Sequence, residues 1–199
     1  MFHPRISIMA KALPDRLPVS YSLDYDFEAH ELWKVISSPN HLNLFHPFCK
    51  SNEVINWEIN HSDRLIYLNG RNYIRNFQTW DDGIGYTLLI GSENGPLSYV
   101  VWELKPKLQG KSELTITVYP YILAKLPNFV AYLPHKFWIE PRLRRYLKSV
   151  LSGLKYYLQT GKNVPRNHFG KHPWFSSVSY THLRAHETRG NLVCRLLLE

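Results

Sequence analysis

The segment RNYIRNFQTW (Arg71–Trp80) carries the residues best suited to binding chemistry. Along an extended chain every second side chain points the same way, so Arg71, Tyr73, Arg75, Phe77 and Thr79 share one face. Guanidinium groups grip carboxylates and phosphates through paired hydrogen bonds, so two arginines among aromatics could hold an anionic group inside a pocket. On an outward face the same arginines would be solvated or paired across strands. A second candidate is Glu103 in LSYVVWELKP, on one face with Tyr99 and Val101. A carboxyl buried there would have a raised pKa, as a general acid or base requires. A structural salt bridge, with Arg75 as one possible partner, is the plainer expectation. Tyr119, His46 and the arginines complete a set that could enolise or dehydrate a carbonyl compound.

The stretch NHLNLFHPFC offers His41, His46 and Cys49. Zinc takes three or four nitrogen or sulfur ligands in a tetrahedral array. The spacing H-x4-H-x2-C matches no common metal site, so neither a metal nor a cofactor is expected. His46, just before Pro47, is expected in a loop bordering a cavity mouth, and Cys49 as a small buried hydrophobe. Asp24 and Asp26 fall opposite the aromatics of their strand and are expected to face solvent. No Ser-His-Asp arrangement, phosphate loop or dinucleotide fingerprint is present. The glycines of DDGIG join two strands and open no helix, so the setting for cradling a phosphate is missing.

The elements that must position these residues follow a simple order. VSYSLDYDF (Val19–Phe27) alternates as a strand, with Tyr21, Leu23, Tyr25 and Phe27 on one face. A short helix is expected from Glu28 to about Ser37, broken at Pro39, with a second helical turn ending near Pro47. From Asn52 to Tyr121 strands alternate with turns, and Asp82-Gly83 and Asn94-Gly95 are strong hairpin signals. Then Leu143, Tyr146, Leu147, Val150, Leu151, Leu154 and Leu158 form one helical stripe, with Pro141 at its start and Gly161 at its end. Arg144, Arg145, Lys148 and Lys155 cover the outer face of that helix. Between the last strand and this helix lies YPYILAKLPNFVAYLPHKFWIEP, rich in proline and aromatics. It is expected either as a lid or membrane-dipping segment aided by Lys125 and Lys136, or as a packed connection with a short helix at Asn128–Leu133.

This order resembles the helix-grip superfamily, which includes START lipid-transfer domains, Bet v 1-like proteins and polyketide cyclases. The resemblance rests on YSLDYDFEAHELWKVISSPNHL at the front, RLRRYLKSVLSGLKYYL at the back and the hairpins between them, over Val19 to Lys162. It implies an α+β fold in which a curved antiparallel sheet wraps around a long C-terminal helix and leaves an internal cavity. It further implies binding or transport of a hydrophobic small molecule, such as a lipid, polyketide or aromatic compound. Catalysis by a cyclase- or dehydratase-like site, or a membrane-surface or protein-interaction role, are the alternatives. The residues expected at the ligand are Arg71, Tyr73, Arg75, Phe77, Tyr99, Glu103, Tyr119 and His46.

Composition sets outer bounds. The chain has 199 residues and a formal charge of +8, which favours anionic ligands, acidic partners or membrane surfaces in a general way. The charges are scattered rather than blocked, so nucleic acid is not an expected partner. The tail Val178–Glu199 back-translates closely onto a sequencing-library adapter and is expected to be a translated artefact. It carries three arginines against two glutamates, so without it the charge would be +7. Without its Cys194, Cys49 stands alone, which suits a reducing compartment. Neither a signal peptide nor a membrane span is apparent, and a cytoplasmic location is expected. The expected organisation is an N-terminal extension over 1–18, one domain over 19–162, a C-terminal extension over 163–177, and the tail.

Overall fold

In the computed structural model of the chain, residues 15–58 and 60–177 are described. The expected N-terminal extension falls partly outside them, and the adapter-like tail wholly so. Strand β1 (Val19–Tyr25) leads into α1 (Ala29–Ile36) and the single turn α2 (Leu42–Phe45). Six strands follow: β2 (Cys49–Asn56), β3 (Ser62–Tyr67), β4 (Asn72–Asp81), β5 (Gly85–Gly91), β6 (Leu97–Pro106) and β7 (Ser112–Tyr119). All pair antiparallel in the order β1-β7-β6-β5-β4-β3-β2. The sheet is therefore a meander from β2 to β7, closed by β1 along its free edge. The fold is the α+β helix-grip arrangement, a curved sheet wrapped around a long C-terminal helix.

Local sequence explains most boundaries. Glu28 and Glu31 form a reciprocal capping box at the start of α1. Gly83 takes a φ of 73° in the turn between β4 and β5, which a side chain would resist. Gly161 adopts the left-handed conformation that ends the last helix. On β1, Tyr21, Leu23 and Tyr25 face the core. On its other face Ser20 and Ser22 pair with Thr117 and Thr115 at 2.8 Å, and Asp24 meets Lys107 at 2.5 Å.

The C-terminal helix starts earlier than Pro141 suggests. Helix α3 (Asn128–Pro134) runs through a π-helical turn (His135–Ile139) into α4 (Glu140–Thr160). The wide turn accommodates the prolines at 134 and 141, each of which lacks the N–H that a regular helix would use. Helix α4 lays Leu143, Leu147, Val150, Leu151 and Leu154 on the sheet, all buried. Each buried leucine contributes about 1.5–3 kcal/mol. Tyr25 of β1 donates its hydroxyl hydrogen to the Leu151 carbonyl at 2.9 Å, tying helix to sheet.

One contact sets how closely α4 approaches α2. A Cβ added at Gly153 would lie 2.0 Å from the Phe45 carbonyl oxygen. Backbone cannot yield as a flexible side chain can, so the position admits only glycine at this spacing. Gly153→Ala is expected to destabilise the fold by about 1–3 kcal/mol, measured as a lower midpoint in urea denaturation. Wild-type stability in that variant would show that α2 and α4 tolerate a wider separation.

Candidate functional site

Between α4 and the concave face of the sheet lies a cavity of about 240 Å³. That is far above the ~10–15 Å³ a single water needs, so it is ligand-sized space rather than a packing defect. Its wall takes Leu65 and Tyr67 from β3, Tyr73 and Arg75 from β4, and Leu88 and Ile90 from β5. Ser98, Val100 and Trp102 come from β6, Ile116 and Val118 from β7, and Leu143, Tyr146, Leu147 and Val150 from α4. Ile122 and Trp138 of the proline-rich connection also line it, with Trp174 and Phe175 from beyond α4.

Segment 163–177 is thus part of the cavity wall. Asn69 holds it, donating from its side-chain amide to the Trp174 carbonyl at 2.7 Å and from its backbone to Phe175 at 3.3 Å. His172 is bonded to the Arg142 carbonyl at 3.1 Å. Phe175 then stacks on Tyr67 with ring centroids 4.4 Å apart and touches Tyr146 at 4.6 Å.

Of the residues expected at a ligand, four line the cavity: His46, Arg71, Tyr73 and Arg75. Arg71 is exposed at the rim, whereas Arg75 is 3 % exposed. Arg75 sits directly opposite Asp63 on β3. Its Nε donates to one carboxylate oxygen at 2.7 Å, and its Nη2 bonds the other. Nη2 also reaches His41 Nε2 at 3.3 Å. Burial alone would raise the Asp63 carboxyl, but the charge and hydrogen bonds of Arg75 outweigh it and hold the group below the usual carboxylate range.

Four expectations require correction. Tyr99 and Glu103 lie on the opposite face of β6 from the cavity, because Leu88↔Val100 and Tyr86↔Trp102 pairing with β5 turns the even-numbered residues inward. Glu103 is 41 % exposed and pairs with Lys105 at 3.2 Å, not with Arg75. Tyr119 follows the same outer parity on β7 and lies beside Tyr99, centroids 6.1 Å apart. Phe77 keeps the inward direction but packs into a cluster with Trp57, His61, Trp80 and Tyr86 instead of lining the cavity. A register shift between Phe77 and Thr79 then exchanges the faces, so Thr79 bonds Thr87 at 2.8 Å and Trp80 turns inward onto Tyr86.

His46 is more deeply placed than a loop residue at a mouth. It is 5 % exposed at the end of α2. Its Nδ1 accepts the Phe48 N–H at 3.2 Å, which leaves the proton on Nε2 to be donated to the Tyr146 hydroxyl at 2.8 Å. The Tyr146 and Tyr67 hydroxyls are 3.1 Å apart. Sequence reasoning passed over both tyrosines because, in a helical stripe and an apolar strand, they read as core. Cys49 is buried, and burial pushes its thiol up to about 12. Among the described residues no group of three or more His, Cys, Asp or Glu side chains is placed to hold a metal. No helix among them is long and apolar enough to cross a membrane.

No family model matches the chain, and no curated protein does either. Solved structures do. The di-domain ARO/CYC BexL from the BE-7585A biosynthetic pathway superposes with a TM-score of 0.57 at 14 % identity, over 72 % of this chain and 46 % of that one. DynU16, a protein of the dynemicin biosynthetic locus, gives 0.56 at 17 % identity, over 75 % and 49 %. An uncharacterised protein from Bacillus thuringiensis gives 0.55 at 14 % identity, over 72 % and 99 %. The likeness is one of fold. The chain matches about half of BexL and DynU16 and nearly all of the Bacillus protein.

The buried histidines give the site a pH signature. Burial first, and the Arg75 charge second, lower both His41 and His46 from 6.5 to about 3. Between those values the unfolded chain binds protons that the folded chain does not. The stability they support is complete above about pH 6.5 and is lost as pH falls towards about 3, by up to about 1.4 kcal/mol per unit for each histidine. Urea denaturation from neutral pH down to about pH 4 should show this decline, to which His135 and His172, also lowered by burial, add, and His46→Gln should make the slope shallower. A flat profile would contradict the buried, neutral state of both rings.

Proposed function

We propose that this protein binds a hydrophobic small molecule in the cavity between α4 and the sheet, as a carrier or sensor. The observation that supports this is the cavity itself: ligand-sized, walled mainly by aliphatic and aromatic side chains, with a few polar groups at fixed points. Such a wall gains affinity by releasing water from apolar surface, and its polar groups orient what binds. Neighbours of the same fold include BexL, described as an ARO/CYC of a biosynthetic pathway, which keeps polyketide-type compounds among the ligands to be tried.

A cyclase-like activity draws less support from the side chains. No Asp or Glu stands among the residues lining the cavity, and Glu103 is on the other face. Both nitrogens of His46 are already engaged, so among the described residues this histidine offers the cavity no free base.

Native mass spectrometry of the full chain, purified without detergent and then unfolded, tests the carrier reading. A discrete hydrophobic cargo released on unfolding is expected. Val100→Phe, which fills the cavity from β6, should fold and lose that cargo. A protein that stays empty even after incubation with mixed lipids and aromatic polyketides would contradict the reading.

A further inference from the structure

The polar groups facing the cavity can be counted as donors and acceptors. Because His46 Nδ1 accepts from Phe48, the Tyr146 oxygen receives the proton of Nε2. Burial holds the Tyr67 and Tyr146 phenols above their ordinary pKa, so both keep their protons. The two hydroxyls own two protons, and the single contact between them uses one. Whichever way that contact runs, one O–H has no acceptor among the described residues. Arg75 adds to this end of the cavity. Its Nε and Nη2 are engaged by Asp63 and His41, while Nη1 has no hydrogen-bond partner among the described residues. At the rim, Arg71 makes no ion pair among the described residues. No carboxylate lines the wall to offset these donors.

We infer that the cavity selects an apolar molecule bearing an acceptor oxygen, a carbonyl or a carboxylate, seated against the Tyr67–Tyr146 hydroxyl pair, and discriminates against an amine. This inference rests on the hydrophobic-ligand reading and narrows it. A buried O–H without an acceptor costs free energy, and a ligand oxygen removes that cost. An ammonium would bring further donors to a wall that holds no carboxylate among the described residues, where the one buried carboxylate nearby, Asp63, is already taken by Arg75.

Four probes sharing a naphthalene body test it by calorimetry with the full chain: 2-acetylnaphthalene, 2-naphthoate, 2-ethylnaphthalene and 2-naphthylmethylamine. The ketone should bind roughly 3- to 10-fold more tightly than the ethyl compound, as one neutral hydrogen bond allows, and the amine most weakly. The carboxylate arm separates the two oxygen classes, exceeding the ketone if an anion is preferred and trailing it if a neutral carbonyl is. Tyr67→Phe with Tyr146→Phe should narrow the gap between the ketone and ethyl affinities, the His46 Nε2–H remaining as one donor, while leaving the ethyl compound's own affinity in place. Equal binding of ketone and ethyl compound by the wild type, or tightest binding of the amine, would overturn the inference and leave the carrier reading standing. Binding of none of the four would overturn the inference, and the cargo experiment then decides the carrier reading.

A separate observation concerns the outer side of α3 and the π-helical turn. Phe129 is 83 % exposed, Leu133 61 % and Phe137 74 %, whereas Ala131, His135 and Ile139 are buried beneath them. The helix thus turns an apolar stripe outward. No acidic residue occurs in the sequence between Glu113 and Glu140. Lys125 and Lys136 flank the stripe, Lys136 paired with Glu140 at 3.0 Å, and Asp15 accepts from Asn128 at its start at 2.8 Å. Trp138 of the same turn, and Ile122 just before it, line the cavity. We propose that this face rests on an anionic membrane surface, from which the ligand reaches the cavity. The full chain should float with vesicles of phosphatidylcholine and phosphatidylglycerol, less with phosphatidylcholine alone, and not at all as Phe129→Ser with Phe137→Ser. Absence of vesicle binding would overturn this. So would light scattering that shows a dimer converted to monomer by the same two substitutions, because a second copy would then cover the stripe.

Discussion

The buried pair of Arg75 and Asp63 is the interaction on which the rest of the interior depends. Both charges lie in the core, at 3 % and 0 % exposure, where an unpaired ion would cost several kcal/mol. They face each other directly across β3 and β4, so a one-residue slip of that pairing would strand both and expose Leu65 and Tyr67. His41 completes the arrangement. It bonds the Ser38 carbonyl through Nδ1 at 2.7 Å and meets Arg75 through Nε2, joining the α1–α2 connection to the centre of the sheet. The same geometry that satisfies the carboxylate leaves one nitrogen of the guanidinium turned to other uses.

The cavity exists because the helix covers the sheet incompletely. Gly153 lets α4 approach α2 to backbone contact at one end, and Tyr25 ties it to β1. Towards its start the helix carries Leu143, Tyr146 and Leu147, which face open space across from Val100 and Val118. The gap is then closed by Phe175 and Trp174, returning after the helix has ended, and by Trp138 before it begins. Closure thus comes from two segments outside the helix and the sheet. Each is held by hydrogen bonds and ring contacts around buried residues, His172 and Phe175 in one and His135 and Ile139 in the other.

Much of this was legible in the sequence where a period was clean. The stripe from Leu143 to Leu158, the alternation of VSYSLDY and the turn at Asp82-Gly83 each follow one rule without competition. The arginine strand was legible as far as Arg75 and then failed, because a register shift after Phe77 is invisible to a count of every second residue. The face of β6 was not legible at all. LSYVVWEL is apolar on both sides, and only pairing with β5 decides that Trp102, not Glu103, turns inward. Tyr67 and Tyr146 were hidden for a different reason: a tyrosine packs by its ring, and its hydroxyl matters only once a neighbour 79 residues away is brought beside it. The role of the segment after Gly161 rests on such long-range contacts too.

The most direct test of the account is where a bound molecule places its oxygen. A crystal structure of the full chain with 2-acetylnaphthalene should show the ring system between Val100, Leu147 and Phe175, with the carbonyl oxygen within hydrogen-bonding distance of the Tyr67 or Tyr146 hydroxyl. A ring system lodged outside the cavity, or a carbonyl directed away from both tyrosines, would contradict it.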